Sequence, residues 1–192
     1  MITKKLVGEQ VSLVVPSSAD AELWAGWMND LTVALPLGYE AYYPITVDAM
    51  AGEIADIAEK RKHVFTVVEN ETERRIGQCM LSAVDAVNRA GEVSVVIGEK
   101  DVWGRGYGTE ALRLLLDHAF DLVNLHSVGL SVYAFNTRAL RCYRRLGFHE
   151  IGRRRARRLI AGAYHDVVLM DLLADEHRAS RERSVVPDIG DY

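Results

Sequence analysis

Three glycines at alternate positions, Gly104, Gly106 and Gly108, lie in the run Trp103-Gly104-Arg105-Gly106-Tyr107-Gly108-Thr109-Glu110. The hydrophobic period is near two before the run and near 3.6 after it, so the run joins a strand to a long helix. Successive N–H groups at such a junction can converge at a helix N-terminus, a place that binds anions and above all a pyrophosphate. Glycine allows the backbone to approach closely where a side chain would intrude, and Arg105 adds a positive charge beside the site. A tight connection without a ligand would use the same residues, so the run alone leaves both readings open. Two other nucleotide loops fail on their own requirements. A Walker loop needs a lysine after its last glycine, where this chain has Thr109. A Rossmann turn spaces its glycines Gly-x-Gly-x-x-Gly early in a parallel series, whereas here the spacing is Gly-x-Gly-x-Gly after an antiparallel meander.

The elements around that run follow from period and punctuation. Residues 11–15 read as a strand stopped by Pro16, and Ser17-Ser18 offer hydroxyl caps for a helix over 19–29 with Leu23, Trp24, Trp27 and Met28 on one face. Residues 31–45 hold two prolines, a glycine and the tyrosines Tyr39, Tyr42 and Tyr43. They read as an ordered loop or lid. Thr46 caps a helix over 47–60. Strands over 63–69, 76–84 and 92–97 form the meander. The chain then predicts a helix over 106–123, a strand over 127–134, a helix over 137–146 ended by Gly147, and strands over 150–155 and 164–172. Residues 1–173 make the domain, and 174–192 read as a polar tail without periodicity.

The 192 residues are 49% hydrophobic and 26% charged, with a formal net charge of −4, which suits one soluble domain with its own core. No apolar run approaches the roughly 18 residues that cross a bilayer, and the first residues do not resemble a secretory leader, so a cytoplasmic protein is expected. Cys79 and Cys142 lie far apart in apolar segments and suggest neither a disulfide framework nor a zinc site. His118, His126 and His165 show no ligand spacing, and no metal is expected. Residues 134–158 carry nine arginines against one glutamate, a pattern seen on nucleic-acid surfaces. However, Arg153, Arg154 and Arg155 fall on a strand and would point to alternate faces, with no aromatic between them to stack a base. Direct nucleic-acid binding is therefore not expected, while a polyanionic cofactor or an acidic partner would suit the same charge.

Val102-Trp103-Gly104-Arg105-Gly106-Tyr107-Gly108-Thr109-Glu110-Ala111, followed by Asn136-Thr137-Arg138-Ala139, Tyr143 and Leu146-Gly147-Phe148, resembles the two signatures of the GNAT superfamily of acetyl-CoA-dependent N-acetyltransferases. Gly106 and Gly108 occupy the fixed glycines of the pyrophosphate loop. Trp103 stands where Arg or Gln is usual, a departure shared by the branch of ribosomal-protein N-terminal alanine acetyltransferases. The resemblance covers residues 10–173. It implies an α/β (α+β) fold: a mixed, mostly antiparallel twisted sheet of about six or seven strands, with helices on both faces and two central strands splayed to hold acetyl-CoA.

The same resemblance assigns roles. Acetyl transfer needs a neutral nitrogen, a polarised carbonyl and a proton for the departing thiolate. An alkylamine is neutral only about once in 2,500 molecules at pH 7, so a base should help. Glu92, at the start of the strand leading into the loop, stands where histone-acetylating members carry a glutamate base; a glutamate that merely flanks a strand or pairs with an arginine is the alternative. Tyr143 stands where the family places the acid that protonates the CoA thiolate, against a packed tyrosine bonded elsewhere. The backbone of Val95, Val96 and Ile97 would face pantetheine, Asn136 would reach its amide or else only cap the next helix, and Arg138 would meet the 3′-phosphate or adenine end. With Trp103, Gly104, Arg105, Gly106, Tyr107, Gly108 and Thr109 these make the cofactor set, and Tyr39, Tyr42 and Tyr43 make the candidate substrate wall. The implied reaction is direct transfer to a primary amine, first of all a protein or peptide N-terminus. The alternatives are small amines (polyamine, amino sugar or aminoglycoside) or a silent acyl-CoA sensor. A homodimer is left open.

Overall fold

The structure, a computed structural model, describes residues 3–181 and 184–186, with only the backbone of Tyr39 and Glu40. The strands are β1 (Lys4–Val7), β2 (Val11–Val14), β3 (His63–Glu69), β4 (Arg75–Asp85), β5 (Ala90–Ile97), β6 (Ser127–Tyr133), β7 (His149–Ile160) and β8 (Ala163–Leu173). They form one eight-stranded sheet in the order β1-β2-β3-β4-β5-β6-β8-β7. All neighbours run antiparallel except β5 and β6, which are parallel. β1 is one strand more than the sequence suggests. It is short, and three of its four residues are exposed, so no alternation marks it. A tertiary contact fixes its turn: the Glu110 carboxylate accepts the Gln10 N–H at 3.0 and 3.2 Å.

The helices are α1 (Ala21–Asn29), α2 (Leu31–Ala34), α3 (Val47–Glu59), α4 (Tyr107–Asp117), α5 (Thr137–Arg145) and α6 (Ala174–Ser180). α1 starts two residues later than expected because Ser18–Asp20 forms a 3-10 turn. Asp20, fully buried, accepts from the Ser17 N–H at 2.7 Å, the Thr66 hydroxyl at 3.0 Å and Arg75 Nε at 2.9 Å, tying the helix entry to β3 and β4. Trp24, Trp27 and Met28 of α1 and Met50, Ile54 and Ile57 of α3 then form a cluster on one face of the sheet, joined by Val96 of β5. The larger core lies on the other face, where Leu112, Leu115, Leu116 and Ala119 pack against Val93, Val128 and Leu130. Side-chain alternation along β5 and β6 separates these two layers.

The residues after Leu173 do not behave as an appendage. Ala174–Ser180 is a helix, with Ala174 and His177 buried. His177 Nε2 lies 2.7 Å from an oxygen of Asp117, Arg181 donates to that carboxylate at 2.5 Å, and the Val185 N–H donates to its other oxygen at 3.1 Å. The seven-residue helix is too short and too polar to show a period. A buried carboxylate on α4 orders it instead. Among the described residues no helix is long and apolar enough to cross a membrane.

α4 runs on into a π-turn over His118–Leu122. His118 is buried, with Nε2 3.1 Å from His63 Nδ1 and its own Nδ1 without a partner. Burial, then the neighbouring His63 and Lys5, lower its pKa to about 4. The unfolded chain takes up this proton near pH 6.5 and the folded chain only near 4. Its contribution is therefore intact above about pH 6.5 and falls as the pH drops towards 4, by up to about 3 kcal/mol. His118→Gln should flatten that part of the acid dependence, read from urea midpoints at pH 7 and pH 5.

Candidate functional site

β5 and β6 pair only through Ala90↔Ser127, Gly91↔Val128 and Glu92↔Gly129. Beyond Glu92 each strand keeps its outer neighbour, β5 with β4 through Ile97 and β6 with β8 through Tyr133, while the two inner edges diverge. The hydrogen-bond phase shows which groups face the gap. The Gly98 N–H donates to Ile76 O on the β4 side, and the Ala134 N–H donates to Asp166 O on the β8 side. Alternation then turns the backbones of Val93, Val95 and Ile97, and of Ser131 and Tyr133, towards each other across the gap. The Val96 backbone faces β4, and only its side chain lines the opening. The cleft has a volume of about 370 Å³.

The glycine run closes one end. Gly104 and Gly106 are left-handed, at φ +82° and +93°. This is the conformation for which glycine is suited, and it brings the chain into α4 at Tyr107. The first-turn N–H groups of α4 have no carbonyl one turn back, and that of Thr109 turns to Gly106 O at 2.9 Å. Gly108 packs so close to β5 that a Cβ there would lie 3.3 Å from Ile97 Cγ1. Trp103 Nε1 donates to Ile97 O at 2.7 Å, and the Arg138 guanidinium lies 3.7 Å above the Trp103 ring. The tryptophan thus ties the loop to the end of β5 and carries a cation on its face. Arg138, Arg141 and Arg145 of α5 all border the cleft. Arg105 is exposed at the loop tip and does not border it, and the Tyr107 hydroxyl is committed to Glu69 at 2.6 Å. Glu99 and Asp101, in the turn before the loop, both accept from Arg74, and Glu99 also accepts from Trp27 Nε1 at 2.8 Å.

α5 supplies the polar side chains of the opposite wall. Asn136 Oδ1 accepts the Ala139 N–H at 3.1 Å, so the carbonyl caps the helix and only the amide NH₂ remains for the cleft. Tyr143 lies two turns further on. It is buried, its ring packs edge-on against Phe148 at 5.9 Å, and it borders the cleft. Its hydroxyl has no partner among the described residues. Burial raises its pKa well above the ordinary phenol value, so it is protonated at every working pH. Cys142 also borders the cleft, 3.3 Å from Thr109 Oγ1, and burial raises the thiol pKa. It is a thiol near neutrality rather than a thiolate, hence a poor nucleophile.

Glu92 is exposed at the last paired position of the splay and does not border the cleft, although it shares a sheet face with Ser94 and Val96, which do. The carboxylate has no partner among the described residues. Tyr42 and Tyr43 do not border the cleft. Tyr42 is half exposed and donates to Leu159 O at 3.0 Å, Tyr43 is 70% exposed, and the Tyr39 side chain lies outside the described residues. Their segment reaches the site through Val33, Pro36 and Leu37 instead. In the sequence nothing separates these three from ordinary packing residues.

The Acetyltransferase (GNAT) domain model matches residues 10–149 of this chain. The chain belongs to the GNAT acetyltransferase family. Over 124 residues it is 31% identical to a spermidine N(1)-acetyltransferase of Vibrio cholerae, covering 65% of this chain and 69% of the relative. Over 100 residues it is 33% identical to the putative ribosomal N-acetyltransferase YdaF of Bacillus subtilis, covering 52% and 54%. A solved structure of the V. cholerae spermidine N-acetyltransferase with CoA and spermine superposes with TM-score 0.77 at 22% identity, over 89% of this chain and 99% of that one. As a GNAT N-acetyltransferase the protein takes acetyl-CoA as cosubstrate. The cleft suits such a molecule: unpaired strand edges for its amides, the start of α4 and the α5 arginines for its phosphates, and aliphatic walls for its chain.

Proposed function

We propose that the protein transfers an acetyl group directly from acetyl-CoA to a primary amine, with Tyr143 as general acid and Glu92 as general base. The observation that carries this reading is Tyr143, which borders the splayed cleft and whose hydroxyl is protonated and without a partner among the described residues. Acetyl-CoA brings an activated thioester. The β5 edge at Val95 and Ile97 offers N–H groups that can polarise a carbonyl between the strands. Tyr143 would give its proton to the leaving sulfur, and Glu92 would draw the proton from the incoming ammonium, directly or through water. A peptide or protein N-terminus is the leading acceptor. The motif resembles that branch, and a putative ribosomal acetyltransferase is among the relatives. The spermidine acetyltransferases among the relatives favour a polyamine as the second reading.

Incubation with acetyl-labelled acetyl-CoA and an amine tests direct transfer. Label in the amine and none retained on the protein is expected; label on Cys142 would contradict it. Glu92→Gln should lose most activity near pH 7 and regain part of it at high pH, where the amine deprotonates unaided. A uniform loss across the pH profile would remove Glu92 as the base. Gly106→Val forces a β-branched residue into φ +93°, strain of order 1–3 kcal/mol where the loop must hold its shape. Affinity for acetyl-CoA should fall about tenfold or more by calorimetry. An unchanged titration would contradict the pyrophosphate assignment.

A further inference from the structure

A second recess of about 90 Å³ adjoins the cleft, beside the segment after α2 and the β7–β8 hairpin. Pro36, Leu37, Ser131 and Val132 border both spaces, so the two are adjacent. Their polar linings differ. The recess is bordered by Arg154, Arg157 and Arg158, with no carboxylate on its wall among the described residues.

A regular strand would not gather these arginines, since alternation sends residues 154 and 157 to opposite faces. A bulge does. β7 pairs Arg154 with Val167 and next Arg158 with His165, a step of four residues on β7 against two on β8. Between them Ala156 is left-handed at φ +47°, and its N–H donates to Asp166 Oδ1 at 2.9 Å, which holds the bulge. Bulges re-aim side chains, often beside active sites. The nearby carboxylates are already engaged: Asp166 Oδ2 with Arg153 at 3.5 Å, and Glu150 with Arg153 at 3.4 Å and Arg144 at 3.6 Å. Arg154 and Arg157 form no ion pair among the described residues.

We infer that this recess receives an anionic group of the acceptor, so that the acetylated amine belongs to a molecule bearing a carboxylate or a phosphate and not to a polycation. Guanidinium forks match the oxygens of either group. A spermidine-like chain would instead bring its second cation against Arg154 and Arg157, which have no ion-pair partner among the described residues. The inference rests on the amine-acetyltransferase reading and names its substrate class.

The test compares two peptides with a free N-terminal alanine, one followed by two aspartates and one by two lysines, together with aspartate, glucosamine 6-phosphate and spermidine. Each is assayed by thiol release from acetyl-CoA with the wild type, Arg154→Gln/Arg157→Gln and Arg154→Lys/Arg157→Lys. The peptides are also titrated calorimetrically into the protein with CoA. The wild type should favour the anionic acceptors by about tenfold or more in kcat/KM. The glutamine pair should lose that preference through KM with the KM for acetyl-CoA unchanged, and the lysine pair should recover part of it. The aspartate and sugar-phosphate arms tell carboxylate from phosphate. A wild type that prefers spermidine or the lysine peptide, or a preference that survives the glutamine pair, overturns the inference while leaving the acetyltransferase reading intact. Absence of turnover with every amine overturns that reading, and the calorimetry then decides the recess: arginine-dependent binding of the aspartate peptide supports it, and equal binding of both peptides overturns it.

Discussion

Tyr143→Phe should lower kcat about a hundredfold and leave the affinity for acetyl-CoA unchanged. The substitution removes only the hydroxyl, which has no partner among the described residues, so no buried group is orphaned. The ring, which packs edge-on with Phe148, remains. The effect belongs at the low end of what a general acid contributes, about 10²–10⁴. A departing thiolate is only mildly basic, with a pKa near 8.5, and leaves moderately well without help. Because burial keeps the hydroxyl protonated, the pH profile of the wild type should show no loss from Tyr143 at alkaline pH within the stable range. Steady-state kinetics and a CoA titration check both parts. An unchanged kcat would remove Tyr143 from the reaction, and a parallel loss of CoA affinity would make it a packing residue.

Asp117→Ala should cost about 3–5 kcal/mol of folding stability. Asp117 is fully buried and takes two side-chain partners and one backbone N–H from the segment after Leu173. Removing it leaves His177, itself buried, without its acceptor and Arg181 with Asp121 alone, which is the costly way to break such a cluster. Asp117→Asn keeps the shape and should cost less. Urea denaturation measures the loss, and proteolysis should cut the alanine variant first after residue 173. Wild-type stability in the alanine variant would show that α6 is not held by this carboxylate.

What was legible in the sequence was whatever carries a local signature. The glycine run, Gly147 at the end of α5 and the alternation of β3 to β5 each state their geometry within a few residues, and the resemblance of the glycine run and the α5 segment to the GNAT signatures implies the fold class; Asn136 caps α5 with its carbonyl, the alternative to a contact with pantetheine. The misses share a different cause. β1 is fixed by Glu110, about a hundred residues away, and α6 by Asp117, so their order comes from contacts with no local period. Within residues 31–45 the aromatic Tyr42 and Tyr43 stay off the cleft while Val33, Pro36 and Leu37 border it, because the path of the segment decides which side chains face inwards. Arg154 and Arg157 could not be placed together without the bulge at Ala156, which period-two reasoning excludes by construction.

Thiol release from acetyl-CoA by the purified protein, over a panel of N-terminal peptides, polyamines, amino sugars and aminoglycosides with a no-amine blank, tests the central claim most directly. Amine-dependent release, abolished for the most part by Tyr143→Phe, is the result this account predicts. Silence across the panel from a protein that still binds acetyl-CoA would contradict it and favour an acyl-CoA sensor, another acyl donor or an amine outside the panel.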